Sequence, residues 1–199
     1  MILRSSVFSP FGRKVKIAMH HLGLADRIVV EMTDTTDPAD SIRRQNPLGK
    51  IPVLLLDDGT AIHDSPVILE YLDALAGGGR IIPREGSERW RVLTLHALAD
   101  GMMDAALLQL YEKRYREEGY RSERWLDLQA GKIERSLAVL AGDPPPPAVD
   151  AGTIALACAL GYLDLRFEGA WRHHRALEAW LADFAAAVPS YEKTAPPQS

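Results

Sequence analysis

Short apolar runs and amphipathic stretches alternate through the first third of the chain. Ile2 to Val7 reads as a strand. Ser9-Pro10 follows as an N-cap with proline at the first helical position, where the missing N–H is not needed. The helix it opens carries Val15, Ile17, Ala18 and Leu22 at helical spacing, and Gly23 supplies a stop. Ile28 to Met32 reads as a second strand, and an Asp-rich stretch leads to a short helix around Ala39 to Arg44. Pro52 to Leu56 and Thr60 to His63 flank Asp57-Asp58-Gly59, a hairpin signature and hence an antiparallel pair. Ser65-Pro66 repeats the capping pattern before Val67, Ile68, Tyr71, Leu72 and Leu75.

After Gly77-Gly78-Gly79 the period-2 signal disappears, so Ala76 to Ser87 reads as a surface linker. Beyond it, Trp90, Leu93, Ala97, Gly101, Ala105 and Leu108 mark one face of a long helix. Trp125, Leu128, Ile133, Leu137 and Leu140 mark a second helix, which Pro144 to Pro147 end. Ile154 to Leu165 is apolar nearly all round, as in a helix central to a bundle, and Ala176 to Val188 forms a last amphipathic helix. The expected architecture is an α/β domain over 1–77 and an all-α helical bundle domain over 87–199.

Composition narrows the function classes. The 199 residues are 47% hydrophobic and 25% charged, enough for a real core, with disorder expected only at the ends, above all in the tail Thr194 to Ser199. A net charge of -4 from interspersed signs, with no basic run, argues against nucleic acid or an anionic membrane surface as partner. The longest apolar stretch is well short of the ~20 residues that cross a bilayer. Cys158 is the only cysteine, which rules out an intrachain disulfide and a Cys-based zinc site. With Arg4 and Ser5 interrupting any apolar leader, the expected setting is cytoplasmic. His20-His21 and His173-His174 are adjacent pairs whose side chains diverge on a helix, so no metal site is expected.

The chemistry concentrates at the two Ser-Pro helix starts. Either serine serves equally well as a plain cap, worth about 1 kcal/mol. A helix N-terminus is also an anion site, with free N–H groups and a favourable dipole. Three segments in order, Ser9-Pro10-Phe11-Gly12-Arg13-Lys14-Val15, Asn46-Pro47-Leu48-Gly49-Lys50-Ile51-Pro52-Val53-Leu54 and Asp64-Ser65, resemble glutathione S-transferases. The Ser-Pro-Phe form is similar to the serine-type members, the plant tau class and a bacterial group of similar length.

That resemblance implies a thioredoxin-like first domain and a reaction in which glutathione attacks a small apolar electrophile as its thiolate, in detoxification. It makes Ser9 the catalytic residue, donating its hydroxyl to the sulfur, and Phe11, Lys50, Ile51, Pro52, Asp64 and Ser65 the glutathione-binding set. Ile51 pairs its main chain with the cysteinyl unit beside a cis Pro52. Lys50 faces the glycyl carboxylate, while Asp64 and Ser65 take the γ-glutamyl ammonium and carboxylate. Asp100 and Met103 are second-domain or cross-subunit candidates in a homodimer, and Met102 and Tyr111 are further candidates for the electrophile pocket. Glutathione-dependent peroxide reduction, and a non-catalytic interaction protein on the same scaffold, are the alternatives. One departure stands out. The Ser/Thr-x-x-Asp box that usually opens the family's central helix is replaced by Asp150-Ala151-Gly152-Thr153, an exchange that predicts a retained cap without the reciprocal contact.

Overall fold

A computed structural model describes residues 1–197; of the expected disordered tail, Gln198 and Ser199 lie outside the described residues. Strands β1 (Ile2–Ser5), β2 (Val29–Met32), β3 (Val53–Leu55) and β4 (Ala61–Ile62) form one sheet in the order β2-β1-β3-β4. β1 and β2 are parallel, while β1–β3 and β3–β4 are antiparallel. The parallel pair needs a crossover, and α1 (Pro10–His21) supplies it. A short helix α2 (Ile42–Gln45) precedes β3, and α3 (Ser65–Leu75) returns from β4 to pack beside α1.

The remaining helices are α4 (Gly86–Tyr115), α5 (Glu123–Gly142), α6 (Ala151–Phe167), α7 (Arg175–Ala187) and α8 (Ser190–Lys193). All the strands assigned among the described residues precede residue 63. The fold is therefore a thioredoxin-like α/β unit joined to a largely helical one.

Helix α6 is the pivot of the molecule, with Ile154, Leu156, Cys158 and Leu160 all fully buried. It packs against both α4 and α1, so a single apolar cylinder cements the two halves. Its approach to α4 is close: a Cβ on Gly152 would stand 2.8 Å from the Val92 carbonyl oxygen and 3.0 Å from the Leu95 Cβ. Gly152→Ala should accordingly destabilise by about 1–3 kcal/mol through overpacking. Urea unfolding checks this, and an unchanged midpoint would show that α4 and α6 have room to separate.

The structure corrects four sequence expectations. The capping box of α6 is complete despite the exchange of acid and hydroxyl. The Asp150 carboxylate accepts from the Thr153 N–H at 2.9 Å, and the Thr153 hydroxyl oxygen accepts from the Asp150 N–H at 2.9 Å. A threonine oxygen accepts as readily as a carboxylate, and its own proton goes on to the Ala148 carbonyl.

The segment after the glycine run is also more than a surface linker. Ile81 and Ile82 are buried, the Asp73 carboxylate accepts from the N–H groups of Gly79, Arg80 and Ile81, and the Ile81 carbonyl accepts from Ala151.

Finally, the core face of α4 is Val92, Leu95, Ala99, Met102, Met103 and Ala106, whereas Trp90 is 66% exposed. Both sets recur at helical spacing, because small alanines and a glycine fit either side. Packing against α6 decides the phase. The tail likewise begins ordered, with the buried Thr194 hydroxyl donating to the Ser190 carbonyl.

Candidate functional site

The sheet registers gather the candidate residues at one end of the sheet. Arg4 pairs with Val53 and Leu54 with Ile62, so one step further along lie the end of β1, the Ile51-Pro52 dipeptide and the His63-Asp64 dipeptide. Both dipeptides are joined by cis peptide bonds. Helices α1 and α3 start from this same end.

Local chemistry explains the delivery of each segment. The buried guanidinium of Arg4 on β1 donates to Thr33 at 2.9 Å, Ser41 at 2.8 Å and Asp40 at 2.9 Å, fixing the loop that leads to Asn46. Asn46 then shapes the turn before Ile51, accepting from the Leu48 N–H at 3.0 Å and donating to the Lys50 carbonyl at 2.9 Å. Gly49 in that turn has φ +63°, the left-handed region that glycine adopts without strain.

At α1, the Ser9 hydroxyl oxygen accepts from the Gly12 N–H at 3.1 Å, so the capping role is realised. That contact uses a lone pair and leaves the hydroxyl proton available. The close turn depends on Gly12, where a Cβ would stand 2.1 Å from the Ser5 Oγ. With Gly12 and Arg13 bonded to Ser9, the Phe11 N–H is the free donor of the first turn among the described residues. At α3, Asp64 is the N-cap residue and makes no capping bond; its carboxylate is exposed, while Ser65 is buried. Lys50 is exposed.

Sequence reasoning missed three residues here: Lys14 and His96, which are buried, and Asp104, which is exposed. Lys14 on α1 is fully buried, and its Nζ donates to Asp100 Oδ1 at 2.5 Å, Asp100 Oδ2 at 2.7 Å and His96 Nε2 at 2.7 Å. Burial pulls the Lys14 ammonium down and the Asp100 charge opposes it. Burial likewise raises the Asp100 carboxyl, against the Lys14 charge. His96 is pushed down to about 3, by burial first and the Lys14 charge second. A neutral His96 that accepts at Nε2 carries its proton on Nδ1.

The third is Asp104, one turn along α4, raised by burial and held back by the charges of Lys50 and Lys14. Asp64 also acts on Lys14, Asp100 and Asp104. The helical half therefore closes on the same corner as the Asp64-Ser65 helix start.

Other candidates fall elsewhere. Met102 and Met103 are 2% and 1% exposed and belong to the core. Tyr111 is partly exposed, edge-on to Tyr115 at 5.3 Å between ring centroids. Phe8, Ser9, Tyr162 and Leu165 line a small hollow at the start of α1. The Cys158 thiol, at the back of this hollow, is fully buried and pushed up to about 11 by burial, as befits an inert core residue.

Known proteins similar to this chain span both of its halves. Residues 8–75 match the family profile described as glutathione S-transferase, N-terminal domain. The uncharacterized GST-like protein YibF of Escherichia coli (strain K12) is 36% identical over 100% of both chains. A glutathione transferase family member from Pseudomonas fluorescens Pf-5, crystallised with bound glutathione, is 42% identical, with 99% of each chain covered and a TM-score of 0.93. A glutathione S-transferase from Methylobacillus flagellatus KT with glutathione bound is 35% identical, with 98% and 99% covered and a TM-score of 0.87. With its thioredoxin-like half, its helical half and full-length relatives of this kind, the chain belongs to the glutathione S-transferase family.

Proposed function

We propose that the protein binds glutathione at the sheet end described above, holds it as the thiolate and conjugates it to small apolar electrophiles. The observation that carries this reading is the convergence of two helix N-termini on Ile51-Pro52, one capped by the Ser9 hydroxyl and the other opening at Asp64, whose carboxylate makes no capping bond. Among the described residues, the Ile51 N–H and carbonyl have no backbone partner, leaving an edge for strand-like pairing with the cysteinyl unit. Asp64 suits the γ-glutamyl ammonium, and the Ser65 hydroxyl with the start of α3 suits its carboxylate. Lys50 faces the glycyl carboxylate. Asp100 contributes from the second domain by holding Lys14, and so α1, in place.

The energetics of activation are adequate without a general base. A thiol of pKa ~8.5 needs about 2.7 kcal/mol to fall by about 2 units. A hydrogen bond to a charged sulfur gives about 1.5–3 kcal/mol, and a helix N-terminus adds about 0.3–1 kcal/mol. The Ser9 proton and the Phe11 N–H at the start of α1 are the donors in position.

The same reading carries a cytoplasmic homodimer. Trp90, Ala97 and Gly101 on α4 and Val67 on α3 leave exposed small and apolar surface for a second copy to cover. Among the described residues, no helix is long and apolar enough to cross a membrane.

Calorimetric titration with glutathione tests binding, and turnover with chloronitrobenzene, enone, epoxide and hydroperoxide substrates tests chemistry. One glutathione per chain and conjugation of at least one electrophile are expected. No binding at millimolar glutathione would overturn the reading. Binding without turnover on any substrate would leave a non-catalytic scaffold, and turnover confined to hydroperoxides would make the protein a peroxidase.

A further inference from the structure

Adjacent histidines diverge when both lie on a helix. Here the second of one pair is not on a helix. His173 ends a 3-10 turn over Ala170–His173, and His174 has φ -77° and ψ 79°, outside helical geometry, just before α7. The two imidazoles consequently lie side by side, with ring centroids 4.1 Å apart. Glu134 reaches them from α5, so that one nitrogen of each ring and one carboxylate oxygen all lie within 4.8 Å of one another.

We propose that Glu134, His173 and His174 form a binding site for a transition-metal dication of the zinc type, remote in function from the glutathione corner. Two features beyond proximity point to a ligand. The His173 Nδ1 lies 2.8 Å from the Ala170 carbonyl. A carbonyl can only accept, so Nδ1 carries the proton and the Nε2 lone pair is left for a metal. This is the outer-shell arrangement that orients metal-binding histidines. The His174 Nε2 is buried and has no hydrogen-bond partner among the described residues. Leaving a buried nitrogen unpaired is unfavourable, and coordination relieves it.

The donor set selects the metal. Two imidazoles and a carboxylate suit zinc, and a four-coordinate ion would complete its shell with water. Calcium and magnesium take oxygen ligands and do not fit. Zinc bonds of ~2.0–2.1 Å put tetrahedral ligand atoms about 3.3 Å apart, within reach of a modest contraction of these side chains. Bound there, the ion would tie α5 to the segment that enters α7 and stabilise the native state in proportion to its occupancy.

The test is calorimetry of the untagged, chelator-treated full chain with zinc chloride, alongside thermal melts with and without zinc. One zinc per chain is expected, with a zinc-dependent rise in the melting midpoint and no response to calcium. His173→Gln should weaken zinc binding tenfold or more, and Glu134→Gln by several-fold. His20→Gln should bind as the parent does. His173 and Glu134 are exposed, so these two variants are expected to fold, and circular dichroism verifies it. Sub-stoichiometric binding, or zinc affinity unchanged in both His173→Gln and Glu134→Gln, would overturn the site.

Discussion

Lys14→Met should destabilise the protein by about 3–5 kcal/mol, because it leaves the Asp100 carboxylate mostly buried and uncompensated. In the parent the ammonium spends its three donors on the two Asp100 oxygens and on His96, and its side chain is inaccessible to water. The contact also bridges the halves, since Lys14 lies on α1 and its partners on α4. A buried pair is expensive to form, so replacing both charges should be far milder than removing one. The double variant Lys14→Met/Asp100→Leu should therefore recover most of the loss. Urea unfolding at neutral pH measures both. A loss below about 1 kcal/mol in the single variant would mean that Asp100 finds water or another cation.

The same cluster sets a pH dependence. The folded His96 titrates near 3, below its unfolded value of ~6.5. The unfolded chain therefore binds the extra proton first, and stability falls as pH drops through that window. Between pH 6.5 and 5 the loss from this group is about 1.6 kcal/mol, the slope steepening toward about 1.4 kcal/mol per unit. The measurement is the urea midpoint against pH, compared with His96→Gln, in which this component of the slope should vanish.

The second large effect separates binding of glutathione from its activation. Ser9→Ala should keep glutathione affinity within a few-fold, yet raise the bound thiol's apparent pKa by about 1–2 units, the loss of one hydrogen bond to a charged acceptor. Turnover near neutral pH should fall by about 10- to 100-fold and recover in part at alkaline pH, where the thiolate forms unaided. Asp64→Ala and Ser65→Ala should do the opposite, weakening binding by about 1–3 kcal/mol each while leaving the bound thiol's titration in place. Thiolate absorbance of the complex against pH, together with calorimetry, reads both quantities. Superimposable titrations for Ser9→Ala and its parent would reduce Ser9 to the cap it already is for Gly12. Unchanged affinity in both α3 variants would remove that helix start from the site.

What the sequence by itself determined is local in its physics. Proline after serine fixes where α1 begins, because the ring sets φ and needs no donor, and places the start of α3 to within one residue, with Asp64 rather than Ser65 at the N-cap. The Asp-Gly turn fixes the β3–β4 pairing, and an all-apolar run from Ile154 can only be a helix with neighbours on every side. Those signals, with the Asn46–Leu54 segment, already pointed to the family and to the helix starts at Ser9 and Ser65.

What remained for the tertiary structure was every property that depends on partners far along the chain. Lys14 recurs with Pro10, Ile17 and Ala18 on the inner face of α1, a position that demands a counter-ion, but nothing local says that Asp100 and His96 supply it. The phase of α4 was undecided because alanines, a glycine and leucines satisfy the helical period on more than one face; contact with α6 chose Val92 and Met103 over Trp90. The Asp150–Thr153 box shows the same limit at short range, since hydrogen-bond capacity rather than residue order closes it. Glu134 and the two histidines meet only because the backbone leaves the helix at His174, a turn that the pattern of hydrophobic positions does not encode.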